Sequence, residues 1–176
     1  MEVRFVAPDW ENLDALRSEA ILTPFFSDER PLAGVLGLID WRMCGFVSRM
    51  VFLGHVRGVR GEQVLVPLKP RFTVDKLVLF GLGPESDFDD AVLRDTTERM
   101  LDVVTRAQVR ATAMVLPGRN TQRVPAADAM ETFVQALGTR RTQDELVLLE
   151  PPEAHKDMAP ILQRERRRAR AQTTEG

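Results

Sequence analysis

Hydrophobic positions along the chain follow two spacings. Short continuous apolar runs, typical of strands buried on both faces, alternate with stretches in which apolar residues recur every three or four positions, the spacing of amphipathic helices. Strands are predicted at residues 3–6, 20–26, 63–68, 76–83, 110–118 and 144–149. Helices are predicted at residues 10–17, 32–56, 87–108, 125–137 and 151–171. This alternation predicts an α/β fold, with a mostly parallel or mixed sheet that carries helices on both faces.

Residues with special backbone preferences mark several element boundaries. Asp9 can cap the first helix, Pro125 can open the helix predicted at residues 125–137, and Gly138 can end it. Pro24 interrupts the apolar run at residues 20–26. Because proline cannot donate a hydrogen bond to a neighbouring strand, Pro24 counts against a central position for this strand.

The stretch from Leu32 to Val56 reads as one long helix with a wide apolar face, which Gly54 can end. Cys44, the only cysteine, falls inside it and is expected to be a small buried side chain. Trp41 lies on the same predicted helix. Trp41 and Trp10 are candidate interface anchors, but a tryptophan on a helix face more often packs in a core, and we expect that for Trp41.

Length and composition indicate a single globular unit. The chain has 176 residues, of which 44% are hydrophobic and 28% are charged. We divide it into an α/β domain over residues 1–150 and a C-terminal helix with a basic tail over residues 151–176. No apolar run approaches the length of a membrane span, and the first residues lack the pattern of a signal peptide. A cytoplasmic location with no membrane contact is therefore expected.

Charge is distributed unevenly between the body and the C-terminal end. The net charge is −2, but the last 13 residues contain five arginines and two glutamates, so this tail carries +3 and the body −5. The tail residues that could touch nucleic acid or an acidic partner are Arg164, Arg166, Arg167, Arg168 and Arg170. The alternative is a solvated helix end. An acidic body makes nucleic acid an unlikely partner for the chain as a whole.

Two loops that follow predicted strands are candidate ligand sites. Gly81 and Gly83 belong to a glycine-rich turn before a helix, which can present amide groups to a phosphate. Gly118, Arg119, Asn120 and Arg123 form the second loop, which offers cationic and amide groups to an anion. The alternative, which the composition of each loop favours, is a plain structural turn. If both lie at one edge of the sheet, they can share a crevice.

The sequence nominates no metal site, cofactor or catalytic residue. His55 and His155 stand alone, without the short spacing to other ligands that metal sites show. The carboxylates fall at helix starts and on polar faces, and no pair is marked out as a general acid and base.

Several segments, in order, resemble the N-terminal domain of the leucyl aminopeptidase family. They are Glu29 to Arg42, Gly61 to Pro67, Lys76 to Gly83, and the helix and strand that end at Pro117. The resemblance covers about residues 1–150 and implies a three-layer fold like that of macro domains. In that family a larger C-terminal domain carries two metal ions and an Asn-Thr-Asp-Ala-Glu-Gly-Arg motif. That motif does not occur in this sequence, so no catalytic residue carries over.

The resemblance thus implies a non-catalytic interaction or regulatory module. Its expected partner is another protein, such as a separate aminopeptidase, or a second copy of the chain. One alternative is a small-molecule binder for ADP-ribose or a similar nucleotide, which the kinship with macro domains suggests. The other is contact with nucleic acid through the arginine-rich tail.

Overall fold

In a computed structural model of the chain, residues 2–138, 140 and 144–174 are described, with side chains as far as Arg168 in the last helix. The strands are β1 (Glu2–Val6), β2 (Ala20–Phe25), β3 (Gln63–Pro67), β4 (Lys76–Gly81), β5 (Ala111–Met114) and β6 (Glu145–Leu149). The helices are α1 (Trp10–Ala15), α2 (Gly34–Arg42), α3 (Phe46–Phe52), α4 (Asp90–Arg106), α5 (Ala126–Leu137) and α6 (Pro152–Thr174). A short 3₁₀ turn, Glu85–Asp87, precedes α4.

The strands form one sheet in the order β1-β6-β5-β2-β4-β3. All neighbouring pairs are parallel except β3 and β4, which are antiparallel. Helices α4, α5 and α6 pack on one face, where Met100, Phe133 and Met158 are buried. Helices α1, α2 and α3 cover the other face, where Leu13, Leu36 and Val47 are buried. The predicted three-layer α/β fold with a mixed sheet is therefore confirmed.

Strand β2 lies inside this sheet, between β5 and β4, although Pro24 counted against such a position. The pairing explains why proline is accepted. Strand β5 runs beside β2 only from Ala20 to Leu22, so Pro24 lies beyond the end of that neighbour. All six residues of β2 are buried, as the continuous apolar run predicted.

The predicted helix from Leu32 to Val56 was also wrong, because the structure has two helices there. Cys44 and Gly45 adopt left-handed backbone angles, with φ of 55° and 71°, and break the helix between α2 and α3. The buried carboxylate of Asp40 accepts hydrogen bonds from the backbone amide and the hydroxyl of Ser48, at 3.0 and 2.5 Å. These bonds satisfy an amide in the first turn of α3, which has no cap from its own preceding residue.

The break between α2 and α3 also leaves two side chains exposed that were expected to be buried. Cys44 is exposed rather than buried, since it lies in the turn between the helices. Trp41 is exposed as well, so the expectation that it packs in the core was wrong. It lies against Trp10 with the ring centroids 5.4 Å apart. The other boundary signals are confirmed: Asp9 caps α1, and α5 runs between Pro125 and Gly138.

Helix α6 belongs to the same core as the sheet. Ala154, Met158, Ile161 and Leu162 are buried together with residues of α5 and β6. Among the described residues, no helix is both long and apolar enough to cross a lipid bilayer.

Candidate functional site

The two candidate loops, one after β4 and one after β5, meet at the carboxyl ends of the strands. Gly118 follows β5, and a side chain placed on it would contact the ring of Phe88, which belongs to the segment after β4. Arg123 and Glu85 lie 3.9 Å apart and join the same two segments. The loops therefore lie at one edge of the sheet, but the ring of Phe88 and the side chain of Val124 occupy the space beside Gly118.

The glycine-rich turn after β4 is closed by the chain itself. The amide of Gly81 donates to the carbonyl of Glu62 at 2.9 Å, and the amide of Gly83 donates to the carbonyl of Gly58 at 2.8 Å. A Cβ atom on Gly81 would collide with the carbonyl of Val59. These glycines allow the 58–62 segment to approach the strand closely, and their amides have partners within the protein.

Arg119 is held in a buried ion pair with Glu150, which directly follows β6. Its Nε lies 3.1 Å from both carboxylate oxygens, and its Nη2 donates to one of them at 2.8 Å. Nη1 donates to the carbonyl of Val124 at 2.6 Å. The side chains are 8% and 1% exposed. Burial raises the pKa of Glu150, and the guanidinium of Arg119 opposes that rise. The guanidinium is thus already neutralised by a carboxylate.

Asn120 joins β2 to α2. Its Nδ2 donates to the hydroxyl of Thr23 at 2.8 Å and to the carbonyl of Pro24 at 3.0 Å. Its Oδ1 accepts from the amide of Val35 in the first turn of α2, at 3.1 Å. The side chain therefore occupies the position beside β2 that β5 leaves empty, and it caps the helix that has no capping side chain of its own.

Glu29 closes the connection between β2 and α2. It is buried, and its two carboxylate oxygens accept from the amides of Phe26 and Ala33 at 3.1 and 2.9 Å. Burial raises the pKa of Glu29, and the two backbone amides oppose the rise. Neither Glu29 nor Glu150 was among the residues singled out from the sequence. An acidic residue directly after a buried strand is the one signal that marks Glu150.

Two cavities open at this edge of the sheet, and both are bordered by Arg119, Gln122 and Pro151. One has a volume of about 180 Å³ and extends to Gly34 and Asn120 beside the start of α2. The other, of about 460 Å³, lies against the start of α6, where Glu153 and Asp157 border it. Ligand pockets usually enclose roughly 300–1,000 Å³, so the first is small for a nucleotide. Carboxylates border the second and repel phosphate.

The arginines of the tail lie along α6, away from this edge. Arg166 donates to the carbonyl of Val3 at 2.8 Å, and Arg164 lies 3.7 Å from Glu131 on α5. Arg168 lies 3.8 Å from Glu165, and Arg167 is exposed. The side chain of Arg170 lies outside the described residues. Arg164, Arg166 and Arg168 therefore contact the protein's own groups.

A different surface stands out on helices α2 and α3. Trp41, Phe52 and Leu53 are 73%, 88% and 58% exposed, and Phe46 is partly exposed beside them on α3. Val47 and Val51 on the opposite side of α3 are buried in the core. The exposed side of α3 thus carries the apolar Phe46 and Phe52 together with the polar Ser48 and Arg49. We call the exposed side chains Trp41, Phe46, Phe52 and Leu53 the α2–α3 patch.

Comparison with known proteins identifies relatives for most of the chain. Residues 24–144 match the model of the cytosol aminopeptidase family, N-terminal domain. A probable cytosol aminopeptidase of Thermosynechococcus vestitus is 28% identical over 127 residues, which are 70% of this chain and 24% of that protein. One from Ralstonia pickettii is 27% identical over 76% of this chain and 27% of its own length. The chain thus spans about a quarter of the length of these relatives.

Solved structures agree on the fold. A tomato leucine aminopeptidase variant superimposes with a TM-score of 0.60 at 13% identity, over 92% of this chain and 35% of that one. A Trypanosoma brucei macrodomain in complex with ADP-ribose gives a TM-score of 0.68 at 15% identity, over 91% and 68% of the two chains. At such identities the likeness concerns the fold alone. Because the family model covers well over half of the sequence, the chain belongs to the N-terminal domain family of the cytosol aminopeptidases.

Proposed function

We propose that this chain is a protein-interaction or regulatory module without peptidase activity of its own. The observation that carries the proposal is the α2–α3 patch, where Trp41, Phe52 and Leu53 project from the surface. Aromatic and apolar side chains are common anchors of protein interfaces, and solvent exposure of several together is unfavourable without a partner. The partner is a separate aminopeptidase or a second copy of the chain.

The polar groups at the carboxyl edge of the sheet support the same proposal, because they are already paired within the protein. Arg119 is paired with Glu150, Asn120 bridges β2 and α2, and the amides of Gly81 and Gly83 bind carbonyls. These side chains and amides hold the fold together. The peptidase motif of the family's catalytic domain does not occur in the sequence.

The absence of peptidase activity is tested by incubating the purified chain with leucine p-nitroanilide and added Mn²⁺ or Zn²⁺. We expect no release of nitroaniline above the rate in metal-containing buffer. A purified cytosol aminopeptidase serves as the positive control in the same assay. Metal-dependent turnover that copurifies with the chain would contradict the proposal.

The regulatory role is tested in the same assay by adding the chain to that aminopeptidase. A change in the enzyme's rate that saturates with the concentration of the chain, and that a Phe52→Ser/Leu53→Ser variant fails to produce, supports action on an aminopeptidase. An unchanged rate leaves self-association as the form of interaction that the proposal requires.

A second candidate function is the binding of ADP-ribose or a related nucleotide. It is favoured by the fold shared with the macrodomain in complex with ADP-ribose, although the cavity beside the first turn of α2 is small for a nucleotide. Isothermal titration calorimetry tests it. Saturable heat that is weakened by Gln122→Glu, which adds a negative charge at the border of the cavity, supports it, whereas no heat at millimolar ADP-ribose removes it.

A further inference from the structure

We propose that the α2–α3 patch and the charged groups beside it form a self-complementary surface through which two copies of this chain pair about a two-fold axis. This inference rests on the proposed function, since it names the partner of the interaction module. It starts from the unusual composition of one segment, residues 41–61, which begins with Trp41 at the end of α2 and runs through α3 to the turn before β3.

This segment is basic as well as apolar. It contains Arg42, Arg49, Arg57 and Arg60 and no aspartate or glutamate, so it carries +4 on a chain of net charge −2. The remaining residues therefore carry −6. Arg42 pairs with Asp14 and stacks 4.5 Å from the ring of Trp10, and Arg57 lies 3.7 Å from Glu62 just after the segment. Arg49 and Arg60 are exposed and are the two arginines that the proposal assigns to a partner. Arginine with aromatic side chains is the composition that protein interfaces favour.

An acidic counterpart lies on the same chain. Glu85, Asp87, Asp89 and Asp90 are exposed and follow one another within six residues, without a basic residue among them. We call these four residues the acidic turn. It begins two residues after Gly83, and a side chain on Gly83 would lie 3.6 Å from Cβ of Arg60. The basic segment and the acidic turn are therefore neighbours at one corner of the molecule.

Adjacent patches of opposite charge are what a two-fold interface needs. In such an interface the same surface is used by both copies, so a group at one position faces a different position in the partner. A two-fold axis passing between Arg60 and the acidic turn sets the basic segment of each copy against the acidic turn of the other. In the proposed dimer the α2–α3 patch is also covered, and burial of its apolar side chains supplies the main free energy of association.

The charge distribution also favours a second copy over an anionic membrane. The body of the chain is acidic, so a lipid surface that attracts the basic segment repels the rest. A second copy instead offers its acidic turn to Arg60. In the dimer the exposed apolar side chains of the α2–α3 patch become buried instead of remaining in water.

Sedimentation-velocity centrifugation of the full chain over a range of concentrations tests this proposal. We expect a concentration-dependent shift from the 19.9 kDa monomer to a species of twice that mass. The Phe52→Ser/Leu53→Ser variant is expected to weaken dimerisation at least about tenfold, because it removes two apolar anchors. Leu65→Ser is the matched control, since Leu65 is an exposed leucine on β3 outside the patch. It is expected to leave the dissociation constant unchanged.

A charge-reversal pair tests the two-fold arrangement itself. Arg60→Glu places like charges opposite the acidic turn in both contacts of a dimer, and Asp87→Arg does the same opposite the basic segment. Each variant alone is expected to be monomeric where the wild type is dimeric. Mixed in equal amounts they restore both contacts, so dimer should reappear in the mixture. Raising the salt concentration should weaken the wild-type dimer.

Several results would overturn the inference. A wild-type chain that stays monomeric at every concentration rules out self-association, and the aminopeptidase assays then still decide the proposed function separately. A dimer that the Phe52→Ser/Leu53→Ser variant leaves intact, or variants that fail to recover when mixed, place the interface elsewhere. Binding of a monomeric wild-type chain to phosphatidylserine vesicles, lost in the Phe52→Ser/Leu53→Ser variant, would assign the patch to a membrane instead.

Discussion

At the scale of single residues, the carboxyl edge of the sheet depends on two buried glutamates with different partners. Glu150 faces a guanidinium, whereas Glu29 accepts only from backbone amides. Both have raised pKa values because burial disfavours the charged form. The difference in partners leads to two different predictions.

Replacing Arg119 with Met should destabilise the protein by about 3–5 kcal/mol, because it leaves a buried carboxylate without its cation. Urea unfolding monitored by circular dichroism measures the loss. Arg123→Met is the matched control from the same loop. Arg123 is half-exposed and lies 3.9 Å from Glu85, so its replacement should cost at most about 0.5 kcal/mol. Equal losses in the two variants would show that the buried ion pair stabilises the protein no more than the exposed one does.

Glu29 predicts a pH dependence of stability. Its pKa in the folded protein lies above the ordinary value of 4.5 because of burial, so the folded state holds the proton more tightly than the unfolded state does. Its contribution to the free energy of unfolding is therefore greatest below pH 4.5 and is lost as the pH rises through the folded pKa. As the pH rises through this range, the free energy of unfolding of the wild type should fall relative to that of Glu29→Gln, whose side chain does not titrate.

Urea unfolding of the wild type and Glu29→Gln at a series of pH values measures this difference. Glu150 is present in both proteins, so subtraction isolates Glu29. A difference that grows in favour of the wild type as the pH rises would show that the two amide hydrogen bonds outweigh burial, and that the folded pKa is lowered instead.

At the scale of elements, the break between α2 and α3 can be tested through the sign of one substitution. Gly45 has φ of 71°, and no atom lies within 4 Å of a Cβ built on it. Gly45→Ala should therefore destabilise the protein by about 1–2 kcal/mol through backbone strain alone. Inside a continuous helix the same change would stabilise by about 0.5–1 kcal/mol. Gly54→Ala is the control. Gly54 has φ of 76° and equally open surroundings, so its replacement should destabilise the protein by a similar amount.

The spacing of apolar residues predicted elements well where each element buries one simple face. It located the strands and most helices, including the ends of α5 at Pro125 and Gly138. It failed between Leu32 and Val56, because apolar residues on the exposed side of α3 continued the helical spacing across the turn. The turn is marked by Gly45, with its left-handed backbone, and by the hydrogen bonds between Asp40 and Ser48, and the spacing of apolar residues reports neither.

The candidate loops at the carboxyl edge also show which contacts could not be predicted from the sequence. Sequence placed Gly81 and Gly118 in loops after strands, and the structure brings those loops together. It could not show that Arg119 would meet Glu150, 31 residues away, or that Asn120 would reach β2, because such pairings arise only when distant strands align.

At the scale of the whole molecule, the sheet and α6 unfold as one unit. Ala154, Met158, Ile161 and Leu162 are buried against α5 and the sheet. A chain truncated after Glu150 loses all four, at roughly 1.5–3 kcal/mol for each of the larger three, which is comparable with the entire stability of a domain. We expect no cooperative urea transition from it.

A chain truncated after Gln163 should instead keep a cooperative transition. It loses the bond from Arg166 to Val3 and the contact between Arg164 and Glu131, which together contribute about 1–2 kcal/mol. The two truncations, compared by the same urea titration, thus separate the buried first half of α6 from its basic second half. Loss of cooperativity in the longer chain would show that the tail arginines stabilise the core.

The ion pair of Arg119 and Glu150 has a consequence for how this scaffold could change over evolutionary time. Arg119 borders both cavities at the carboxyl edge, so its side chain is a partition between them. Losing only one partner is costly, but replacing both with small apolar residues removes the buried charges together and joins the two spaces into one groove. A lineage, or an engineer, could therefore acquire a binding cleft here through two coupled substitutions, without altering the sheet.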